Sequence, residues 1–294
     1  MTVLDRRCDF VLYFDVKDGN PNGDPDAGNM PRFDPETGQG LVTDVCIKRK
    51  IRNYVEIAKS GKEGYRIYVR EGTVLNREHD EAFKRTEIKT KKVGNQLKPA
   101  DDAGRDKVRR DMCGRFFDIR TFGAVMSTQT DAGQVRGPVQ LTFARSEHPV
   151  FSRDVAITRM AVTNEVDADK ERTIGRKHTV AYGLYRGHGF VSPSLAEKTG
   201  FSQSDLELLW EALVSMFEHD RSAARGLMAT RALVVFDHGC KLGRAHSHDL
   251  FSRVRTELRD PAKPPRDFSD YKLTLDGAEL QGVMTTVPLA AGFA

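Results

Sequence analysis

The chain has 294 residues, 39% hydrophobic and 30% charged, enough apolar material for one large domain or two modest ones beneath a very polar surface. Its mean hydropathy is -0.50, no apolar run approaches the roughly 20 residues of a membrane span, and the opening MTVLDRRCDF lacks the apolar stretch of a secretory signal, which argues against membrane and secreted classes. The net charge of +4 is unevenly placed: Lys84 to Arg110 carries ten Lys/Arg against four Asp/Glu, so a basic patch sits on a slightly acidic remainder, the footprint of a protein that meets a polyanion.

Asp9 to Val16, DFVLYFDV, is β-branched and aromatic and stops at the turn-rich DGNPNGDPDAGN, which predicts a central strand and an ordered loop. Thr43 or Asp44 starts a helix that runs to about Lys59, with Ile47, Ile51, Tyr54, Val55 and Ala58 as its buried stripe. Lys48, Arg49 and Arg52 gather within about 100° of one another on another face. A short strand is expected at Tyr65 to Arg70. From about Asn76 to Ala103 the chain is polar, basic and poor in aliphatics, which predicts a projection without a core of its own. Val108, Met112, Cys113 and Phe116 recur at helical spacing within Asp106 to Phe117. DIRTFGAVMS and GQVRGPVQLTFARS each read as a strand opened by glycines. His148 to Lys177 is a second polar insertion in which AITRMAVT forms a hairpin arm, and HTVAYGLYRGHGFVS returns as a strand. Asp205 to Phe217 is the clearest helix, with Leu206, Leu209, Trp210, Leu213 and Phe217 on one face. Thr230 to Phe236 is a buried strand, Ser247 to Leu258 a short helix, and Tyr271 to Leu275 a weak strand after a proline-rich stretch. Without the insertions the order is β-α-β-β-α-β, an α+β fold with the ferredoxin-like core that RNA-recognition motifs use to present a sheet face to single strands.

Each chemistry-bearing motif also has a plainer structural reading. Asp18, Asn20, Asn22 and Gly23 match the opening of an EF-hand loop, but Asn29 stands where the bidentate glutamate belongs, so calcium is disfavoured. An Asx-rich turn, or a loop whose amides meet phosphates and sugars, explains the same residues. The Lys48, Arg49 and Arg52 ridge reads as a solvated face or as a phosphate grip, with Arg52 facing only Glu56. Gly123, Gly133 and Gly137, with Arg120, Arg136, Gln134 and Gln140 among them, form either a phosphate or base cradle or bulged strand ends. No P-loop or dinucleotide fingerprint occurs. His178, His188, His238, His246 and His248 lie near turns and strands, where structural histidines are commoner than metal ligands. Cys8, Cys46, Cys113 and Cys240 lie far apart, without a CxxC pair, and read as reduced thiols of a cytoplasmic protein. Met160, beside Arg159, either wedges between bases or packs under its own hairpin.

Taken together, VLYFDVKDGNPNGDPDAGNMPR, GLVTDVCIKRKIRNYV, FFDIRTFGAV, RGPVQLTFARS and RKHTVAYGLYRGHGFVS resemble the repeated backbone subunit of type I CRISPR interference complexes (Cascade), most closely the type I-C form. The resemblance runs from Phe10 to about Phe236. It implies a hand: a modified RNA-recognition palm at 1–60, 113–147 and 178–258, fingers at 61–112, a β-hairpin thumb at 148–177, and a C-terminal extension at 259–294 packing on the palm. Copies would polymerise head-to-tail along a CRISPR guide RNA beside end-capping, large and small subunits and present the guide to target DNA, with no cofactor, metal or membrane. Carried over by position, Lys48, Arg49 and Arg52 would grip the guide backbone, with Asn20 and Asn22 on the palm loop. Arg120, Phe122, Gln134 and Arg136 match the glycine-rich region that meets RNA, and Met160 the thumb residue that props open a kinked position. Lys89, Lys91 and Lys92 would hold target DNA. Related type III subunits cut RNA with a loop aspartate, so Asp15, Asp18, Asp24 and Asp26 keep a metal-dependent ribonuclease as the rival to a non-catalytic subunit. A self-assembling protein with acidic protein partners is the second rival.

Overall fold

The computed structural model describes residues 2–162, 164–167 and 174–289. Residues 163 and 168–173 of the expected thumb, residue 1 of the expected palm and 290–294 of the expected C-terminal extension lie outside the described residues.

Strand β1 (Cys8–Gly19) is the expected central strand, longer than its apolar run. The loop after it carries the two-residue ladder β2 (Gly23–Asp24) and β3 (Met30–Pro31) and leads to β4 (Gln39–Val42). Helix α1 (Asp44–Ala58) begins where the Thr43 hydroxyl accepts from the Cys46 amide. The segment expected as a polar projection forms α2 (Leu75–Thr86) and a hairpin, β5 (Thr90–Val93) and β6 (Gln96–Pro99), followed by α3 (Asp102–Arg115). Next come α4 (Phe117–Phe122), β7 (Gly123–Ser127), β8 (Asp131–Arg136), β9 (Val139–Leu141) and β10 (Ala144–Pro149). Strand β11 (Ser152–Thr158) pairs in a long hairpin with β12 (Ile174–Val191). Helices α5 (Pro193–Thr199) and α6 (Gln203–Ser215) lead to β13 (Leu227–Asp237). The C-terminal part contains α7 (Ser247–Ser252), β14 (Val254–Leu258), β15 (Tyr271–Leu275), β16 (Ala278–Glu279) and β17 (Met284–Pro288).

The main sheet runs β17-β13-β1-β12-β10-β4, with β9 and β11 also paired to β12. Its centre, β13-β1-β12-β10, is wholly antiparallel and, with α1 and α6, has the β-α-β-β-α-β connectivity expected from the sequence. Alternation along the strands makes two cores. Phe10, Leu12 and Phe14 of β1 face Ile47, Ile51 and Val55 of α1 and Leu206, Leu209 and Leu213 of α6. Gly189 of β12 leaves room for the Phe10 ring on this side, since a Cβ there would lie 2.0 Å from Phe10 Cζ. Val11 and Tyr13 of β1, Tyr182 and Leu184 of β12, and Val234 and Phe236 of β13 face the other way, under Leu250, Val254, Tyr271 and Leu273. The sheet face that an RNA-recognition motif leaves open is therefore largely covered here.

Four local expectations change. The 76–103 segment does have a core, because Ala82 and Phe83 of α2 pack with Val108 and Met112 of α3, Tyr68, and Met126 and Val135 of β7 and β8. Tyr65 to Arg70 makes only an isolated bridge, Arg66 to Phe116, since the Asp118 carboxylate takes the Tyr68 and Val69 amides that a strand partner would take. DIRTF closes α4, all of it buried, and the strand starts at Gly123. The helix from Ser247 ends at Ser252, and VRTEL pairs with β15.

Candidate nucleic-acid interface

The asparagine-rich loop is tied down by its own side chains. Asn20 Nδ2 donates to the Asn29 carbonyl at 2.7 Å. Asn22 Oδ1 accepts from the Thr43 amide at 2.9 Å and the Thr43 hydroxyl at 3.0 Å, which joins the loop to the start of α1. From below, Arg225 donates to the Pro21 carbonyl at 3.2 Å and lies 3.4 Å from Asp220, which also pairs with the buried Lys50 of α1. Burial pushes the Lys50 ammonium below the usual lysine range, opposed by Asp220. Lys50, Asp220 and Arg225 are thus part of the loop's support, and the sequence reading passes over them. The available signal was spacing: Lys50 stands three residues after Ile47 and four before Tyr54, on the buried stripe of α1.

The ridge on α1 is neither uniformly solvated nor unpaired. Lys48 Nζ meets Asp44, four residues earlier, at 2.8 Å, and lies 5.6 Å from the Phe122 ring centre. Arg49 donates to the Val69 carbonyl at 3.0 Å. Arg52 is buried, its Nε 2.8 Å from Asp118 and its guanidinium 5.3 Å from the same Phe122 ring. Glu56 binds Arg70 instead. Arg120 is likewise internal: it forms a two-pronged bond to Asp205 at 3.0 and 2.8 Å, donates to the Gly64 and Cys113 carbonyls, and lies over Tyr65 and Phe117. Arg52 and Arg120 therefore already have carboxylate partners inside the protein, which a phosphate would have to displace.

The glycine pair makes a tight crossing. A Cβ on Gly123, which has φ +80°, would lie 2.3 Å from the Val135 carbonyl oxygen, and one on Gly137 would lie 2.4 Å from Gly123 N. The crossing sets β7 against β8, with Arg136 opposite Gly123 and Gln134 opposite Val125. Gln134 and Arg136 are both exposed. Bonded and packed neighbours thus connect the loop at Asn22 through Thr43, Asp44, Lys48 and Phe122 to Gly123 and Arg136. The β5–β6 hairpin docks on the far end of this strip, where the Leu97 amide donates to the Gln129 carbonyl at 2.8 Å. Lys89, Lys91 and Lys92 are exposed there, and Lys91 donates to the Ala100 carbonyl at 3.0 Å. Met160, beyond the end of β11, is exposed and stands apart from the strip's residues in the sheet order.

The other candidates have structural partners. His238 is buried, bonded to Asp9 at 3.1 Å and to the Arg244 amide at 2.8 Å. His246 and His248 stack on each other. Among the described residues no group of three His, Cys, Asp or Glu side chains is placed to hold a metal ion. The four cysteines are free thiols, and burial pushes the Cys8 and Cys113 thiols up to about 12.

Comparison with known proteins fits this architecture. The family described as CRISPR-associated protein Cas7 matches residues 6–276. A Haloferax volcanii protein described as CRISPR-associated protein Cas7 is 30% identical over 241 residues, 72% of this chain and 65% of that relative, so the chain spans just under two thirds of its length. Among solved structures, a chain of a CRISPR RNA-guided surveillance complex in a pre-nicking state superposes with a TM-score of 0.50 at 17% identity, over 77% of each chain. A chain of another CRISPR RNA-guided surveillance complex gives a TM-score of 0.45 at 14% identity, over 77% of this chain and 67% of that one. With the family match extending over nearly the whole sequence, the chain is a member of the CRISPR-associated Cas7 family.

Proposed function

We propose that the chain is a non-catalytic, guide-RNA-binding subunit of a type I-C interference complex. In this reading it polymerises head-to-tail along the guide and presents it for pairing with target DNA. The observation that carries the reading is the β11–β12 hairpin. All seven residues of β11 are exposed, and Phe151, Val155, Ile157 and Ile174 expose apolar side chains on an arm projecting from the sheet. A two-stranded arm of this kind has too little core of its own and gains stability from a neighbour. A second copy of the chain supplies one at each step of a head-to-tail array.

The strip from the Asn22 loop to Arg136 is the surface assigned to the guide. Lys48, Arg49, Gln134 and Arg136 are its outward groups, while Arg52, Arg120, Asn20 and Asn22 hold it in shape. Lys89, Lys91 and Lys92 extend it toward the target strand, and Met160 rides on the arm. Contacts of this kind read phosphates without reading sequence, leaving base edges free to pair. Of the candidate acids, Asp15 is buried against Arg231 and Tyr182 and Asp24 pairs with Arg32, while Asp18 and Asp26 are exposed and are the two through which the ribonuclease rival is tested.

The test is size-exclusion chromatography with ultraviolet detection of the chain expressed with and without a CRISPR RNA, followed by sequencing of the bound nucleic acid. A large peak carrying intact guide is expected. Shortened RNA that depends on divalent metal would establish the ribonuclease. A nucleic-acid-free peak in both cases would favour a protein-only assembly.

A further inference from the structure

The sheet face opposite α1 and α6 is not covered across its whole width. The C-terminal strands lie over β13, β1 and residues Tyr182 and Leu184 of β12. Farther along β12, Arg186 and His188 line an open cleft of about 750 Å3, together with Glu147 of β10 and with Phe251 and Thr256 on the opposite wall. Small-molecule sites occupy roughly 300–1,000 Å3.

We propose that this cleft takes one unpaired nucleotide of a single strand, its base against the Phe143 and Phe251 rings and its phosphate against Arg255 and Arg145. The proposal rests on the nucleic-acid reading above and adds a second contact, on the side of the palm away from α1. Two kinds of group converge here. The first is aromatic: Phe143 is 53% exposed at the rim, and the half-buried Phe251 is held in place by the His188 ring stacked on it with centres 4.4 Å apart. The second is cationic. Arg186 is fixed by the Phe251 carbonyl at 2.6 Å and His188 Nε2 at 3.2 Å. Arg145 reaches Asp34 with its side chain 54% exposed. Arg255 is exposed and has no ion-pair partner among the described residues.

The acids of the cleft are fewer. Glu147 is held beside Arg186, Thr256 and Tyr13, and burial pushes its carboxyl above the usual range. Glu257 is the other. Exposed rings beside guanidinium groups are the chemistry by which proteins hold unstacked bases. That chemistry suits a guide RNA and a DNA strand alike, and the test separates them.

The full chain, freed of nucleic acid at high salt, is photocrosslinked to short single-stranded RNA carrying 4-thiouridine or to DNA carrying 4-thiothymidine, and the attached peptides are identified. Crosslinks within 139–151 and 247–258 are expected, from RNA if the source is the guide and from DNA if it is the target. Phe143→Ala and Arg255→Ala are each expected to weaken oligonucleotide binding about fivefold or more. Both side chains are exposed, so the thermal midpoint stays at the wild-type value. Crosslinks confined to the α1 strip, with Phe143→Ala binding like wild type, overturn the cleft and leave the guide-binding reading intact. A chain that binds neither oligonucleotide overturns both.

Discussion

Replacing Arg52 by alanine separates a phosphate ligand from a structural arginine. The Arg52 side chain is 10% exposed and that of Asp118 is 1% exposed. Removing one member of a buried ion pair costs about 3–5 kcal/mol, because the other charge is left behind. Asp118 keeps the Tyr68 and Val69 amides as donors, so the lower end, about 3 kcal/mol, is expected. At roughly 2–4 °C per kcal/mol for a chain of this size, the thermal midpoint falls by about 6–12 °C. RNA binding gives the second readout. Each phosphate contact on a single strand contributes about 0.7 to the slope of log K against log salt, and a structural Arg52 leaves that slope unchanged at a temperature where the variant is folded. A midpoint within about 2 °C of wild type, combined with a slope reduced by about 0.7, would refute the structural assignment.

Arg136→Ala is expected to behave in the opposite way, flattening the salt slope by about 0.7 at an unchanged midpoint, as read by fluorescence anisotropy at several salt concentrations. Gly123→Ala places a methyl against the Val135 carbonyl and forces φ +80° on a residue with a Cβ; a lower urea midpoint is expected, and wild-type stability would argue against the tight crossing. Stability should also fall as pH drops from about 6.5 toward about 4. Burial, helped by Arg186, lowers the His188 pKa to about 4 from 6.5, so in this window the unfolded chain binds a proton that the folded chain does not, and acid favours unfolding. His188→Gln should flatten that part of the stability profile relative to wild type; identical profiles would remove His188 as a source of the acid sensitivity.

The central fold was legible because its signals are local. The alternating apolar run in β1, the Thr43 cap with the stripe of α1, and the face of α6 each declare themselves within a dozen residues. The core around α2 was not, since α2 brings few apolar groups of its own, and its partners Met126 and Val135 come from β7 and β8, far along the chain. The same limit applied to the basic residues. An arginine gripping phosphate and one buried on a carboxylate look alike in sequence, and the partners here are 66 residues away for Arg52 and 85 for Arg120. The pairing of Lys48 with Asp44 is readable from the four-residue spacing alone. The covered sheet face also escapes the sequence reading, because VRTEL follows directly on a helical stretch although its own alternation fits a strand.

The projecting hairpin has a consequence for how a guide fills. If each arm is steadied only by the next copy, an isolated subunit leaves its own arm exposed, whereas a subunit joining a row covers one that is already present. Addition beside an occupied place is then favoured over addition to bare RNA, so intermediate occupancies are scarce. Under the proposed head-to-tail assembly, the length of a finished row would be set by the RNA, which would act as a ruler.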